Sequence, residues 1–412
     1  MNRESFDKEL NAALAQGGLS RRDVLRRAGA GAGAIGLSAI LAACGVKGTS
    51  QSSSATDSSI WDTAKQTGEF TFANWPLYID DKKVNGKHVH PSIEEFTKKT
   101  GIQVTYKEVI NDNAPFFATI QPSLAAGKPT GYDLIVITNG ATLDKLIRLD
   151  YLIPLDQTKL SNFHKYADPK YQDPSYDPGN KFTVPWQSGL TGIGYNPKLT
   201  GRKISSFEDL LDPAFKGKVG MFGDTLDMPN FALLAVGVNP EESTTADWRK
   251  AADWLTKQRD AGLVRQYYDQ NYIKALTAGD TWLSMAWSGD IYQAQQSGSP
   301  DLQFVVPKEG GLIWTDNMCI PAHSEHPVDA MTWIDFPYQP KIAAAIADWV
   351  WYITPVPASK DIIAKELNDP TVANSPLVFP TPEMYASTHR YRVLTADEEQ
   401  EWNGIFEPVY QS

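Results

Sequence analysis

The chain has 412 residues, 42% of them hydrophobic and 21% charged, with a formal net charge of -11 and two cysteines. That length exceeds what one hydrophobic core usually supports, so two packed lobes are expected. The negative charge excludes the basic footprint of nucleic-acid binding and favours cationic over anionic ligands, and two cysteines build no disulfide framework.

The first elements form an address rather than a fold. Ser20-Arg21-Arg22-Asp23-Val24-Leu25 carries a twin arginine, and an apolar Gly/Ala-rich run follows from Ala28 to Ala43, too short to span a bilayer, which takes about 20 residues. The run ends in Leu41-Ala42-Ala43-Cys44-Gly45, which resembles a lipobox, where cleavage leaves a lipid-bearing cysteine. Residues 1–43 therefore read as a twin-arginine lipoprotein signal. Residues 44–67, Ser/Gly/Thr-rich and poor in core formers, read as the lipidated Cys44 and a flexible tether. The alternative is an ordinary signal peptide with an incidental cysteine. Cys319 is left without a partner and is expected to be a small buried residue.

From about residue 68 the pattern becomes globular. "FTFANW", "IQVTY" and "YDLIVI" read as strands. The stretch Ser92-Ile93-Glu94-Glu95 after Pro91 reads as a capping box, opening a helix that Gly101 closes. Alternating strands and helices predict a mostly parallel sheet covered on both faces. The pattern restarts after Trp186, with strands "TGIGYN", "GKVGMF", "TWLSMAW" and "LQFVVP" and helices "SSFEDLLD", "PNFALLAVG", "TADWRKAADWLTKQ" and "YIKALTAGD". "GGLIWTDNMCIP" reads as a buried strand. "PVDAMTWIDFPYQPKIAAAIADW" is mostly helical, and a last helix follows Thr395. The expectation is two α/β lobes with more than one crossing, residues 68–188 and 319–366 forming one and residues 189–318 and 367–412 the other.

In open α/β sheets ligands bind beyond the carboxyl ends of strands. Strand ends here repeatedly carry rings and acids: Trp75 and Tyr78, Trp186, Asp224 and Asp227, Trp287 with Asp290, and Trp314 with Asp316. Taken singly, a tryptophan is core packing and Asp224 or Asp227 is a helix cap. Asp316 is different, because an aspartate inside a hydrophobic strand costs several kcal/mol of desolvation unless a donor or cation meets it. Carboxylates for charged ends and aromatic faces for methylenes describe a site for an alkyl ammonium ion, with cation–π attraction of about 0.5–2 kcal/mol per contact.

Over nearly the whole mature chain, the sequence resembles the extracytoplasmic polyamine-binding proteins of ABC transporters, the spermidine/putrescine type. The resemblance is carried by "ANWPLYI", "EEFTKKTGIQVTY", "YDLIVIT", "KLSNF", "VPWQSGLTGIGYN", "FKGKVGMFGD", "MAWSGD" and "PKEGGLIWTDNMCIPA". It implies a two-lobed periplasmic-binding-protein-like fold of type II, each lobe a mixed, mostly parallel sheet flanked by helices, with the ligand in the interlobe cleft. It implies aromatic contacts from Trp75, Tyr78, Trp287, Trp314 and Tyr352 and acidic contacts from Asp224, Asp227 and Asp316. Trp186 at the lobe boundary and Asn139 after the third strand complete the candidate set. No cofactor, metal or catalytic residue is implied. The partners are a polyamine and the permease subunits of a transporter, the membrane is reached through Cys44, and the protein is expected to be a monomer. Pro76 stands where the family often has a hydroxyl residue, Asn139-Gly140-Ala141 where it often has Ser-x-Tyr, and Asp227 where a longer glutamate is common, so the particular polyamine stays open.

Two other readings compete. An exported hydrolase needs a nucleophile with its base, paired carboxylates or metal ligands; the 6 histidines offer only His88/His90 and His323/His326 without acidic or cysteine ligands at fitting spacing. The same fold could take a sugar or another cationic amine, but the recurring acids argue against a sugar. If Cys44 carries the lipid, Cys44→Ser moves the protein from the membrane to the soluble fraction of fractionated cells; retention of the variant on membranes refutes that assignment.

Overall fold

The computed structural model describes residues Ile60–Gln411, so the export signal, Cys44 and most of the tether lie outside the described residues. The described strands are β1 (Glu69–Asn74), β2 (Lys82–Val84), β3 (Lys87–Val89), β4 (Gln103–Glu108), β5 (Leu134–Thr138), β6 (Val184–Tyr195), β7 (Val219–Phe222), β8 (Val264–Tyr268), β9 (Leu283–Trp287), β10 (Gln303–Val305), β11 (Gly311–Cys319) and β12 (Thr388–His389). Strands β2 and β3 make a separate hairpin. The others form one sheet in the order β4-β1-β5-β11-β6-β9-β7-β8, with β10 added to β6 and β12 to β11.

The sheet is two parallel trios joined by a pair of long strands. In the first trio β1 runs parallel to β4 and β5, and in the second β7 runs parallel to β8 and β9. Between them β11 and β6 run antiparallel to each other, β11 also to β5 and β6 also to β9. Val184 and Pro185 lie opposite Met318 and Asn317 beside the first trio, while Thr191 to Tyr195 pair with β9 in the second. Both long strands therefore belong to both halves. Their register slips between Asp316 and Asn317, so Gln187 faces Asp316 and Pro185 faces Asn317 with Trp186 left unpaired. Such a bulge bends the ladder locally.

Local chemistry explains most of the elements. β5 and β7 are buried along their whole length, as strands covered on both faces must be, and both read as short apolar runs. The helix Pro91–Thr100 starts on proline and stops at Gly101, whose φ of 78° suits glycine. Its N-cap is His90 rather than Ser92; Ser92 sits inside the first turn and gives its amide and hydroxyl to the Asp80 carboxylate. The helix Thr245–Asp260 opens on a Thr244/Asp247 capping box and packs against the C-terminal helix Ala396–Gln411, with Trp248 and Trp402 edge to face at 5.2 Å. In the first half Phe70, Phe72, Phe96 and Phe336 gather around the fully buried Trp333. Cys319 is free and buried. The edge strand β8 escaped notice in the sequence because Arg265 and Gln266 face solvent and break its apolar run. β6 was read too short because its early half carries Pro185, Gln187 and Ser188, polar or ring-constrained residues that are nonetheless buried.

Candidate functional site

The carboxyl ends of both trios point to the middle of β6 and β11, and three aspartates gather there, Asp227 and Asp316 buried and Asp290 half-buried. Asp316 stands on β11 opposite Thr138 of β5. One of its oxygens accepts the Thr138 hydroxyl at 2.6 Å, the other the Tyr78 phenol at 2.7 Å, Tyr78 coming from the loop after β1. Burial pushes the Asp316 acid up to about 6 and Asp227 adds to the rise, although both hydrogen bonds act against it.

Asp227 begins the helix Asp227–Ala235 after β7. Its Oδ1 accepts the Thr191 hydroxyl at 2.6 Å and the Tyr391 phenol at 2.7 Å, and its Oδ2 accepts the Trp287 indole N–H at 3.1 Å. Asp290, on the helix Ser288–Gln296 after β9, accepts the Tyr352 phenol at 2.8 Å and the Tyr272 phenol at 3.0 Å. Burial raises both acids above the ordinary carboxylate range. Among the described residues, the side-chain donors to these three carboxylates are neutral.

Aromatic rings join the acids into a circuit. Tyr78 packs edge to face on Tyr352 at 5.4 Å, and Tyr352 packs on Trp314 at 5.7 Å. The Trp314 indole donates to the Thr191 hydroxyl at 3.1 Å, which in turn donates to Asp227. Trp287 rests on Phe222 and Tyr272 at 4.8 and 5.8 Å. Two glycines make room: a Cβ on Gly189 would stand 2.3 Å from the Trp314 ring and one on Gly289 2.4 Å from the Tyr352 ring. Trp314 and Asp316 share a face because they lie two apart on a strand, the face on which Gly189 of β6 offers no side chain.

Of the residues singled out in the sequence, Tyr78, Asp227, Trp287, Trp314, Asp316 and Tyr352 are brought together in this circuit. The others are adjacent but differently employed. Trp75, half-buried at the end of β1, donates its indole N–H to the Val136 carbonyl at 3.1 Å. Asn139 accepts the Thr315 amide at 2.7 Å and so stitches β5 to β11. Trp186 lies in the core against Phe72 and donates to the Tyr78 carbonyl at 3.1 Å, which holds the Tyr78 loop. Asp224 caps its helix, one oxygen accepting the amides of Leu226, Asp227 and Met228 at 2.7, 2.5 and 3.3 Å. Burial and then the Asp227 charge raise its pKa.

Asp290 was noted at its strand end but not counted among the ligand contacts, and Thr138, Thr191, Tyr272, Tyr391 and Gln187 were not singled out. Asp290 had a signal, an acid just past a strand end in "WSGD". The threonines and Tyr391 had none, since hydroxyls in strands and irregular segments are ordinary. Gln187, 3% exposed, faces Asp316 across β6 and β11, and its Oε1 has no partner. Two surface recesses of about 450 and 480 Å3, lined by Asp80 and Ser92 and by Arg249 and Arg259 among others, contain none of these groups.

Comparison with known proteins agrees with this architecture. Residues 92–380 match the bacterial extracellular solute-binding protein family, and the chain belongs to it. The spermidine/putrescine-binding periplasmic protein of Salmonella typhimurium is 30% identical over 310 residues, 75% of this chain and 82% of that one. The putrescine-binding periplasmic protein PotF of Escherichia coli is 27% identical over 339 residues, 78% of this chain and 85% of that one. The solved structure of the spermidine/putrescine ABC transporter substrate-binding protein PotD of Streptococcus pneumoniae shares the fold with a TM-score of 0.70 at 23% identity, covering 84% of this chain and 99% of that one. These relatives are extracytoplasmic binding proteins of the type II periplasmic-binding fold, a two-lobed arrangement consistent with the paired trios described above.

If Gly189 is there to seat the Trp314 ring, Gly189→Ala costs about 1–3 kcal/mol of stability in denaturant unfolding, as overpacked cores do. Unfolding indistinguishable from the parent would show that the ring yields freely.

Proposed function

We propose that this protein captures a linear polyamine of the spermidine or putrescine kind outside the cytoplasmic membrane and hands it to an ABC transporter permease, with no catalytic step. The observation that carries the reading is the trio Asp227, Asp290 and Asp316: two buried acids and one half-buried, linked by tryptophan and tyrosine rings and met, among the described residues, by neutral donors. An ionised carboxylate in such a place is costly until a cation joins it, so the site favours a ligand that brings positive charge at more than one point. The rings suit the methylenes between those charges and add cation–π attraction. A neutral sugar would leave the buried charges of Asp227 and Asp316 uncompensated. The names of the relatives point to the same ligand class.

In this reading residues 68–188 with 319–366 and residues 189–318 with 367–412 act as two lobes. Tyr78 and Thr138 come from the first, Asp227, Trp287 and Asp290 from the second, and Trp314 and Asp316 ride on the shared strand β11. A ligand that touches both sides stabilises the closed arrangement, which is a state a permease can recognise. Lys145 and Arg148 of one side meet Glu399 of the other at 2.6 and 3.3 Å and would part on opening. The twin-arginine leader and Cys44 support folded export and a lipid anchor, with the protein working as a tethered monomer. The last residues of the expected tether pack on the first lobe, where the Trp61 indole donates to the Pro154 carbonyl at 2.7 Å and Thr67 donates to Asp329.

Asp316→Asn should weaken spermidine binding by about 2–5 kcal/mol in calorimetry, because it leaves a buried ammonium partly unpaired. Unchanged affinity would remove Asp316 from the site.

The raised acid also fixes the sign of two pH effects. With a folded pKa of about 6 against an ordinary 3.8, Asp316 holds its proton more tightly in the folded state. Its contribution to stability is therefore present below pH 4 and lost as pH rises through 6, at up to about 1.4 kcal/mol per unit. The ligand-free protein should melt lower at pH 8 than at pH 5, with a smaller slope in Asp316→Asn. A polyamine needs the ionised acid, so binding at pH 6 should release protons, seen as a dependence of the calorimetric heat on buffer ionisation enthalpy. Proton uptake instead would contradict the assignment.

A further inference from the structure

Two elements of the site carry, on their other side, a second set of polar groups that the cleft does not use. On the helix Ser288–Gln296, Asp290 faces the cleft, and Tyr292, two residues on and so about 200° around the helix, faces away from it. Likewise Tyr352 faces the cleft, while the preceding Trp351, with a left-handed φ of 59°, turns its ring onto Tyr292 at 5.6 Å and 71°. Asp348, at the end of the helix Pro340–Val350, and Asp369, which gives one oxygen to the Val372 amide at 2.9 Å, complete the group.

Three polar atoms here are buried with no hydrogen-bond partner: the Tyr292 hydroxyl, Asp348 Oδ1 and Trp351 Nε1. Tyr292 as a whole is 6% exposed. Buried polar groups are almost always satisfied, so such a cluster calls for an occupant. Tyr292 and Trp351 pack in one cluster with Ala347 and Val372, which brings Asp348 and Asp369 alongside; both acids bear on the Tyr292 phenol after burial itself, and Asp369 adds to the burial that pushes the Asp348 acid up to about 6. Nearby cations are engaged elsewhere, Lys341 with Glu366 at 2.7 Å, Lys365 with Asp361 at 3.2 Å, and Lys360 over the Phe379 ring at 5.6 Å.

We propose that Asp348, Asp369, Tyr292 and Trp351 form a second binding site, outside the cleft, for one primary ammonium group of an alkyl amine. The three N–H bonds of such a group match two carboxylates and a phenol oxygen, and the two rings cover its first methylenes. A metal ion fits less well, because hard cations take six or more oxygen ligands and no group of three His, Cys, Asp or Glu suited to a metal occurs among the described residues. Asp348, Asp369 and Trp351 are half-buried, although the three unpartnered atoms themselves are covered, so an amine enters from the surface by displacing these side chains and not by opening the cleft.

The test is the stoichiometry of putrescine and of n-butylamine binding to the whole mature protein by calorimetry. The parent should bind two equivalents of putrescine. Asp348→Asn should abolish the weaker event and keep the cleft event, while Asp316→Asn should weaken the cleft event and spare the other. Tyr292→Phe keeps the ring packed on Trp351 and loses one hydrogen bond to a charged group, so it should weaken the second event about tenfold, a check that stands even where Asp348→Asn misfolds. One equivalent in the parent, meaning that water alone satisfies the cluster, overturns the proposal. So does a second event untouched by both Asp348→Asn and Tyr292→Phe. Failure of the cleft assignment would look different, as a first event indifferent to Asp316→Asn.

Discussion

The arrangement depends on the cost of burying a negative charge. Asp227 and Asp316 lie where water does not compensate them and Asp290 where it does so only in part, and the protein offers hydroxyls and an indole rather than lysine or arginine. Neutral donors orient a carboxylate without cancelling its charge, so the field of the three acids stays available to a cation from outside. A salt bridge within the site would stabilise the empty protein and compete with the ligand. The aromatic rings add to this, because they exclude water, lower the local dielectric and lend their own attraction to a cation.

The same acids explain why the fold needs two long strands. A site read from two sides must have walls that move relative to one another and a common floor that does not. In the proposed two-lobed reading β6 and β11 would provide that floor, β11 pairing with β5 on one side and β6 with β9 on the other. The register slip at Asp316 puts the most costly side chain at the point where the ladder bends. Walls built on helices that begin at strand ends, Asp227–Ala235 and Ser288–Gln296, carry the remaining acids on rigid supports.

Much of this was legible from residue order. Trp314 and Asp316, two apart in an apolar run, had to share one face of a strand, and Asp316 could not sit there without a partner. Acids and rings just past "GKVGMF" and "TWLSMAW" marked the ends of parallel strands where ligands bind. Other roles were not legible. Trp186 has the same local look as Trp287, yet it stands unpaired at the register slip, on the opposite face from Gln187, and packs into the core against Phe72. Tyr391 lies in a segment with no periodic pattern and reaches Asp227 only because the chain returns to lay β12 along β11.

The sequence by itself determined most of the elements, the parallel pairing within each trio but not the antiparallel ladders of β11 and β6 that join them, the anionic and aromatic character of the site and most of its contributors, since these follow from side-chain periodicity and from the cost of an unpaired buried charge. Only the tertiary structure decided which groups meet. Gln187 faces Asp316, Tyr272 and Tyr352 share Asp290, and Thr191 links Trp314 to Asp227 through contacts between segments far apart in the chain. Such contacts depend on strand register and helix phase across the whole sheet, quantities that a local stretch of residues does not carry.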